Sequence, residues 1–492
     1  MEAPNPTAHE ASLRRGAVTA ACMLSAFMVA MDVTIVTIAM PTIVGQLGRF
    51  DLFSWVLAAY LLTSAVTAPI YGRLADLYGR KRVYYVGAAL YLCGALLCGF
   101  APSMAWLIAF RTLQGLGAGA LQPLTLTILS DLYRAEERAR VQAWQSAVWG
   151  VAAFVAPVLG AAIVEYLSWP VVFWIDIPLG IATLVTLALV FDEKMIRREH
   201  RVDYLGACLL MIGAGALLMA IVQAQELPQP MFMALLAVGL LALGFLFLHE
   251  RRAPEPIVPF ELWRVRSVAV SNLGGFCIGA VYSCSTLFLP TYIQGVLGGG
   301  IGQASAVYGS HSIAWSVGAV AAARMLGRFN FRITSAVGSL ALFAGAAMLA
   351  LADRASDVWW LGTAASVMGL GMGICNTSFL VACQAEVGWG DRGGAVSSNI
   401  FLRTIGMAVA AGIGGAVVNF TLTRLAPGAG DVVRQILDPK LRRTLSADAL
   451  GPVSDTMAAA LHDVYIVAAI FAVAALVCSM ALPAHLRLKA RD

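Results

Sequence analysis

Apolar residues along this chain gather into runs of about twenty or more, separated by short polar connectors. A helix needs ~20 such residues to cross a bilayer. The pattern predicts fourteen membrane helices, at 17–40, 55–74, 83–101, 104–129, 141–165, 169–191, 204–223, 231–249, 268–292, 304–325, 333–352, 358–384, 393–421 and 462–482. The expected fold class is all-α and polytopic. Six runs fall in a first segment, 1–191, and six in a last, 268–492. Two further runs lie in 192–267, between the charged connectors Asp192–Asp203 and His249–Ser267. A polar stretch at about 422–461 holds Pro427, Pro439, Gly451 and Pro452. It reads as a solvated connector with room for short amphipathic helices.

Composition agrees with the pattern. The 492 residues are 60% hydrophobic and 12% charged, with mean hydropathy +0.79. A soluble protein carries about 25% charged residues. The net charge of +5 does not point to nucleic acid, because the basic residues sit in short loops beside apolar runs. Most of those loops alternate onto one side, which predicts both termini inside and the 422–461 stretch outside. The first apolar run is too long for a signal peptide and carries Asp32. All nine cysteines fall in apolar runs without metal-ligand spacing, so they read as buried free thiols. No cofactor is expected. A G-x-x-x-x-G-K-[ST] phosphate loop does not occur, which argues against an ATP-driven machine.

The remaining polar residues are few and placed where they are costly. One connector, Gly72-Arg73-Leu74-Ala75-Asp76-Leu77-Tyr78-Gly79-Arg80-Lys81-Arg82, packs five charges into eleven residues. Gly72 and Gly79 permit a tight turn and close helix approach. Asp76 among its basic neighbours predicts a charge-assisted network. A weak echo, Gly327-Arg328 followed by Arg332, appears after the tenth run. Asp32 lies inside the first run and must face a cavity or a partner. Such a carboxylate suits reversible protonation or attraction of a cation. Arg111 is its natural partner. At 1.5 Å per residue it lies ~10 Å below the outer edge, and Asp32 lies ~21 Å from the inner edge of a core ~30 Å thick. The two charges therefore reach similar depths. Gly115 and Gly119 make a small face for close packing.

Other candidates follow the same logic. Gly150, Pro157 and Gly160 mark a kinked fifth helix. Asp176 lies ~9 Å deep in the sixth run, as a cap, an interfacial carboxylate or a second proton or cation site. Glu165 is near enough to the edge to snorkel. His311 in the tenth run titrates near neutrality, and either relays protons or bonds a neighbouring helix. Arg403 in the thirteenth run has Asn399, Asn376 or backbone carbonyls as prospective partners. Tyr282, Tyr292, Gln294, Trp315 and Phe379 are cavity candidates, suited to planar or cationic ligands.

Several of these stretches carry a family resemblance. The Gly72–Arg82 connector resembles the loop between helices 2 and 3 of the major facilitator superfamily, G-x-L-a-D-r-x-G-r-k-x-x. Met31–Pro41 resembles the helix-1 motif of its fourteen-span drug/proton antiporters, l-D-x-T-i-V-N-v-A-l-P, with Thr37 in place of Asn. Arg111–Gly119 resembles the helix-4 motif R-x-x-q-G-x-G-a-G, whose arginine is implicated in proton transfer. The fifth run is similar to g-x-x-x-G-P-x-x-G-G, with Ala153, Ala156 and Ala161 replacing glycines. Trp169–Gly180 resembles W-R-W-x-F-x-i-N-v-P-l-G, with Pro170 for Arg and Asp176 for Asn. Asp391–Gly406 resembles r-G-x-a-x-s…F-R-x-i-G.

The resemblance implies two six-helix bundles plus two central helices, rocking around a midplane site. It implies proton-driven export of lipophilic, cationic small molecules, with the proton as coupling ion. Asp32 and Arg111 would couple, and Gly72, Asp76, Gly79, Arg80 and Arg82 would latch the bundles on the cytoplasmic side. A monomer in a bacterial inner membrane is the implied setting. Export of a lipid or an endogenous metabolite, a proton symporter, and a non-transporting receptor or scaffold stay open as alternatives.

Overall fold

The computed structural model describes residues 8–133, 135–191, 193, 203–222, 227–253, 261–353, 356–388, 392–425 and 447–485. Regular structure among them is helical throughout. The helices are α1 (Ala8–Leu47), α2 (Phe53–Tyr78), α3 (Arg80–Gly99), α4 (Met104–Leu132), α5 (Ala135–Tyr166), α6 (Val171–Trp174), α7 (Asp176–Val190) and α8 (Tyr204–Val222). They continue with α9 (Gln229–Glu250), α10 (Arg266–Thr291), α11 (Ile301–Leu326), α12 (Phe331–Ala350), α13 (Val358–Ala382), α14 (Arg392–Leu425) and α15 (Ala447–Ala481). The single turn α6 and α7 share one apolar run, Val171–Val190.

Eleven of these segments are long and apolar enough to cross a membrane by length and composition. The sequence pattern predicts fourteen. The other three are long helices packed among the eleven: α4, α5 and α11, of 29, 32 and 26 residues. In α5 the apolar segment is the shorter Gly150–Tyr166, and α4 carries Arg111, Gln114 and Gln122.

Two groups of helices form. In the first, α1 packs on α4, α5 and α7, and α4 packs on α2 and α3. In the second, α10 packs on α14 and α15, α11 on α13, and α12 on α13 and α15. The groups meet along α2–α14 and α5–α11. α8 and α9 form a hairpin at the side, with α8 touching α2 and α14. On α9, Met231, Leu240, Leu241, Phe245 and Leu248 face outward, as a lipid-facing helix requires.

Close approach explains why α4 is central. A Cβ on Gly115 would strike the Tyr60 carbonyl and Thr63 on α2, and one on Gly119 would strike Thr67. The small face predicted for α4 is thus a backbone contact with α2. Gly72 does not behave this way: a Cβ there would meet nothing within 4 Å. Close approach at Gly72 is therefore not a feature of the fold. Gly79 is needed for its backbone, with φ 94° at the junction of α2 and α3.

The same junction holds a reciprocal cap. Glu193 accepts from the backbone N–H groups of Arg80 and Lys81, at 2.5 and 3.0 Å, at the start of α3. Lys81 Nζ donates to the carbonyls of Ala188 and Phe191 at the end of α7, at 3.1 and 2.6 Å. Each charge sits at the helix end whose dipole it complements. Arg82 is exposed. The Arg73 and Asp76 side chains lie outside the described residues, so the network predicted around Asp76 does too.

Two further expectations are corrected. Cys93 and Cys208 are exposed on helix exteriors rather than buried, and Cys478 is intermediate. Apolar runs that face lipid expose whatever small residue they carry. α15, described from Ala447, lies partly inside the stretch expected as connector, with Pro452 within the helix. Residues 426–446 of that stretch lie outside the described residues.

Candidate functional site

The site is built where α1, α2, α3, α4 and α7 converge. Asp32 and Arg111 are 1% and 0% exposed, so they are removed from solvent together. Arg111 Nη1 donates to both Asp32 oxygens, at 3.0 and 2.8 Å, and to Gln114 Oε1 at 2.8 Å. Gln114 Nε2 donates to Asp32 Oδ1 at 3.1 Å. Gln114 follows Arg111 by three residues and so shares its helix face. The guanidinium lies 4.0 Å from the centre of the Tyr60 ring and 5.8 Å from that of Phe173, a cation–π setting. Arg111 Nη2 has no partner. Thr37, the residue replacing Asn, donates to Val33 O on its own helix at 2.7 Å and takes no part in the network.

Asp176 belongs to this network and is not an interfacial cap. It is 0% exposed at the first residue of α7, and makes no capping bond. Its Oδ2 accepts from the Tyr91 hydroxyl of α3 at 2.8 Å, while Oδ1 has no partner. The Asp32 carboxylate faces it. The break at Ile175 between α6 and α7 turns the chain so that Asp176 points inward. Two carboxylates thus lie in one dry interior with a single guanidinium, which pairs with Asp32.

On α5, a Cβ at Gly160 would lie 3.4 Å from Ile35 of α1, and one at Gly150 would lie 3.7 Å from Ser316 of α11. Pro157 lies between them within the helix. The predicted fifth-helix positions therefore face α1 and the second bundle.

The second bundle holds another constellation. The His311 ring lies 6.1, 6.3 and 6.2 Å from those of Tyr282, Tyr308 and Trp315. Tyr282 and Tyr308 hydroxyls are 2.7 Å apart. Arg403 takes Asn376, not Asn399: its Nη1 donates to Asn376 Oδ1 at 2.5 Å, whereas Asn399 donates to Ser271 O at 2.7 Å. Tyr292 packs on Tyr465 at 6.2 Å, and Gln294 lies in the π-turn Tyr292–Val296 that ends the ninth run. Neither joins the His311 group. Phe379 is fully buried, against Gly274.

Sequence reasoning missed Gln114 as a second ligand of Asp32, Tyr91 as the partner of Asp176, Tyr308 beside His311, and Glu193 as a cap. The i, i+3 spacing from Arg111 could have found Gln114. Among the described residues no group of three or more His, Cys, Asp or Glu could hold a metal ion.

A long-helix bundle of two halves, with buried charge inside the first, fits a membrane transporter. The Major Facilitator Superfamily model matches residues 22–411, and the chain belongs to that family. Multidrug resistance protein 3 of Bacillus subtilis (strain 168) is 33% identical over 400 residues, 80% of this chain and 78% of that protein. Multidrug transporter protein MdtP of the same organism is 30% identical over 400 residues, 81% of this chain and 74% of its own. A bacterial homologue of the human lysosomal transporter Spinster, in an inward-facing and unoccupied conformation, superposes with TM-score 0.69. It is 14% identical and covers 95% of this chain and 98% of its own, a likeness of fold.

Proposed function

We propose that the chain is a proton-coupled antiporter that exports lipophilic small molecules, cations among them, with all fourteen long segments crossing the membrane. The observation that carries this reading is the dry group of Asp32, Asp176 and one Arg111. With both carboxylates ionised the group has one net negative charge, and one proton makes it neutral. That change, in a low-dielectric interior, is large enough to bias the packing of neighbouring helices. The multidrug names of the two Bacillus relatives support a broad lipophilic cargo.

The halves also supply a gate. Asn419 Nδ2 of α14 donates to Asp51 O at 2.9 Å, and a Cβ on Gly415 would strike Ser54. Phe53 and Phe288 rings lie 5.5 Å apart at the same end. The charge bias of the loops supports reading this as the outer end, with the molecule closed outside. Cargo enters from the cytoplasm or the inner leaflet. After the halves rock, Asp32 and Asp176 meet the outer solution and exchange cargo for a proton. The connector around Asp76 then latches the cytoplasmic end. We assign the protein to a bacterial inner membrane, as a monomer with both termini inside.

The test is ethidium flux in reconstituted vesicles under an imposed pH gradient, wild type against Asp32→Asn. Gradient-driven flux lost in the folded variant is the expected result. Flux that ignores the gradient in the wild type would sink proton coupling. No flux of any lipophilic dye would move the reading to a lipid or a specific metabolite.

A further inference from the structure

The interior of the second bundle carries a positive charge that no carboxylate among the described residues neutralises. Arg403 on α14 is only half-buried, and its side-chain partner is the neutral Asn376. No carboxylate among the described residues pairs with it. A lone guanidinium at this depth is costly, unlike Arg111, which holds an acid.

A second group nearby is also incomplete. His311 is 3% exposed, and its Nδ1–H donates to the Ala365 carbonyl at 2.9 Å. That bond fixes the tautomer and leaves Nε2 as a bare acceptor, which has no partner. A buried acceptor without a donor costs about 1–3 kcal/mol. Tyr282 links the two groups: its ring lies beside His311, and it is the neighbour that acts electrostatically on Arg403. Trp315 meets Tyr282 edge-on at 5.5 Å.

The cluster is not fully sealed. Tyr282, Trp315, Asn376 and Arg403 each keep part of their surface accessible. The Thr34 hydroxyl of α1 faces Tyr308, which places the cluster where the two bundles meet.

We propose that Arg403, Asn376, Tyr282, Trp315 and His311 form a binding subsite for lipophilic aromatic acids. The carboxylate or sulfonate of the ligand pairs with Arg403, and its ring stacks on Trp315 and Tyr282. A hydroxyl or N–H of the ligand donates to His311 Nε2. A cation is repelled from the same space by Arg403, so the two bundles select opposite charges. The inference rests on the transport reading only in treating the bound acid as cargo. Export of an anion against entry of a proton moves charge down an inside-negative potential in both directions, which favours such an exchange.

Equilibrium binding to the purified full chain tests this without any gradient. Radiolabelled 1-naphthylacetate and (1-naphthylmethyl)trimethylammonium share a ring and differ in charge. The wild type is expected to bind the acid. Arg403→Gln weakens the acid at least tenfold and does not weaken the cation. Arg403→Lys recovers most of the loss. Folding of each variant is followed by size exclusion and circular dichroism. A wild type that does not bind the acid overturns the proposal without recourse to any variant. So does a folded Arg403→Gln that binds it normally, as does displacement by chloride alone at equal concentration, which marks a simple anion site. Acid binding without pH-driven flux would instead overturn the antiport reading and leave this subsite standing.

Discussion

Arg111 grips both oxygens of Asp32 with one nitrogen, Nη1, and leaves Nη2 without a partner. A parallel two-nitrogen fork is the stronger arrangement between these groups. The single-nitrogen grip behaves more like a point charge, and is easier to release during a cycle. Arg111→Lys should therefore retain measurable flux, reduced several-fold, while Arg111→Met should abolish it. Initial rates of pH-driven dye efflux from vesicles check this. Equal loss in the two variants would show that the guanidinium plane is needed.

Breaking a buried pair on one side leaves the other charge stranded, at about 3–5 kcal/mol. Arg111→Met should accordingly lower the melting temperature of the purified protein more than the double change Asp32→Asn with Arg111→Met. Thermal unfolding in detergent measures the order. If the single variant is the more stable, the pair is not a closed unit.

Tyr91 donates the one hydrogen bond from a side chain that Asp176 Oδ2 receives. Tyr91→Phe leaves both Asp176 oxygens without a donor, which costs about 1–3 kcal/mol. Asp176→Asn keeps an acceptor for Tyr91 and should be the milder change in stability. It also removes one titratable group from the network. Its flux should respond less steeply to external pH than that of the wild type, and an unchanged pH profile would exclude Asp176 from coupling.

Gly415 lies against Ser54 at the contact proposed as the outer gate. Valine there has no room and should wedge the ends apart. In a protein with its native cysteines replaced, a cysteine at Ser54 should then label several-fold faster with a membrane-impermeant maleimide. Unchanged labelling would place the outer seal elsewhere.

The Asp32–Arg111 pair was legible in the sequence because helix rise and bilayer thickness fix the depth of a charge. The partners from α3 were not. Nothing in the pattern of α3 marks Tyr91 among its apolar neighbours, and the break at Ile175 that turns Asp176 inward is a tertiary feature. Tyr282 and Trp315 were legible as interior aromatics, and they do meet. Tyr292 is ten residues beyond Tyr282, ~15 Å along a helix, so the same reasoning grouped residues that the rise of the helix separates. α4 and α11, which carry Arg111 and His311, are among the three long helices whose composition least resembles a membrane span. Apolar content and chemistry compete for the same positions.

The α8–α9 hairpin has a mechanical meaning. α8 touches one helix of each bundle, α2 and α14, while α9 leans on α8. When the bundles tilt in opposite senses, α8 cannot stay fixed to both. It must slip against one of them, as an expansion joint does between two slabs, and α9 carries that slip outward into the surrounding lipid. In the rocking cycle proposed above, the stiffness of the bilayer at this flank therefore becomes a brake on the rate of turnover.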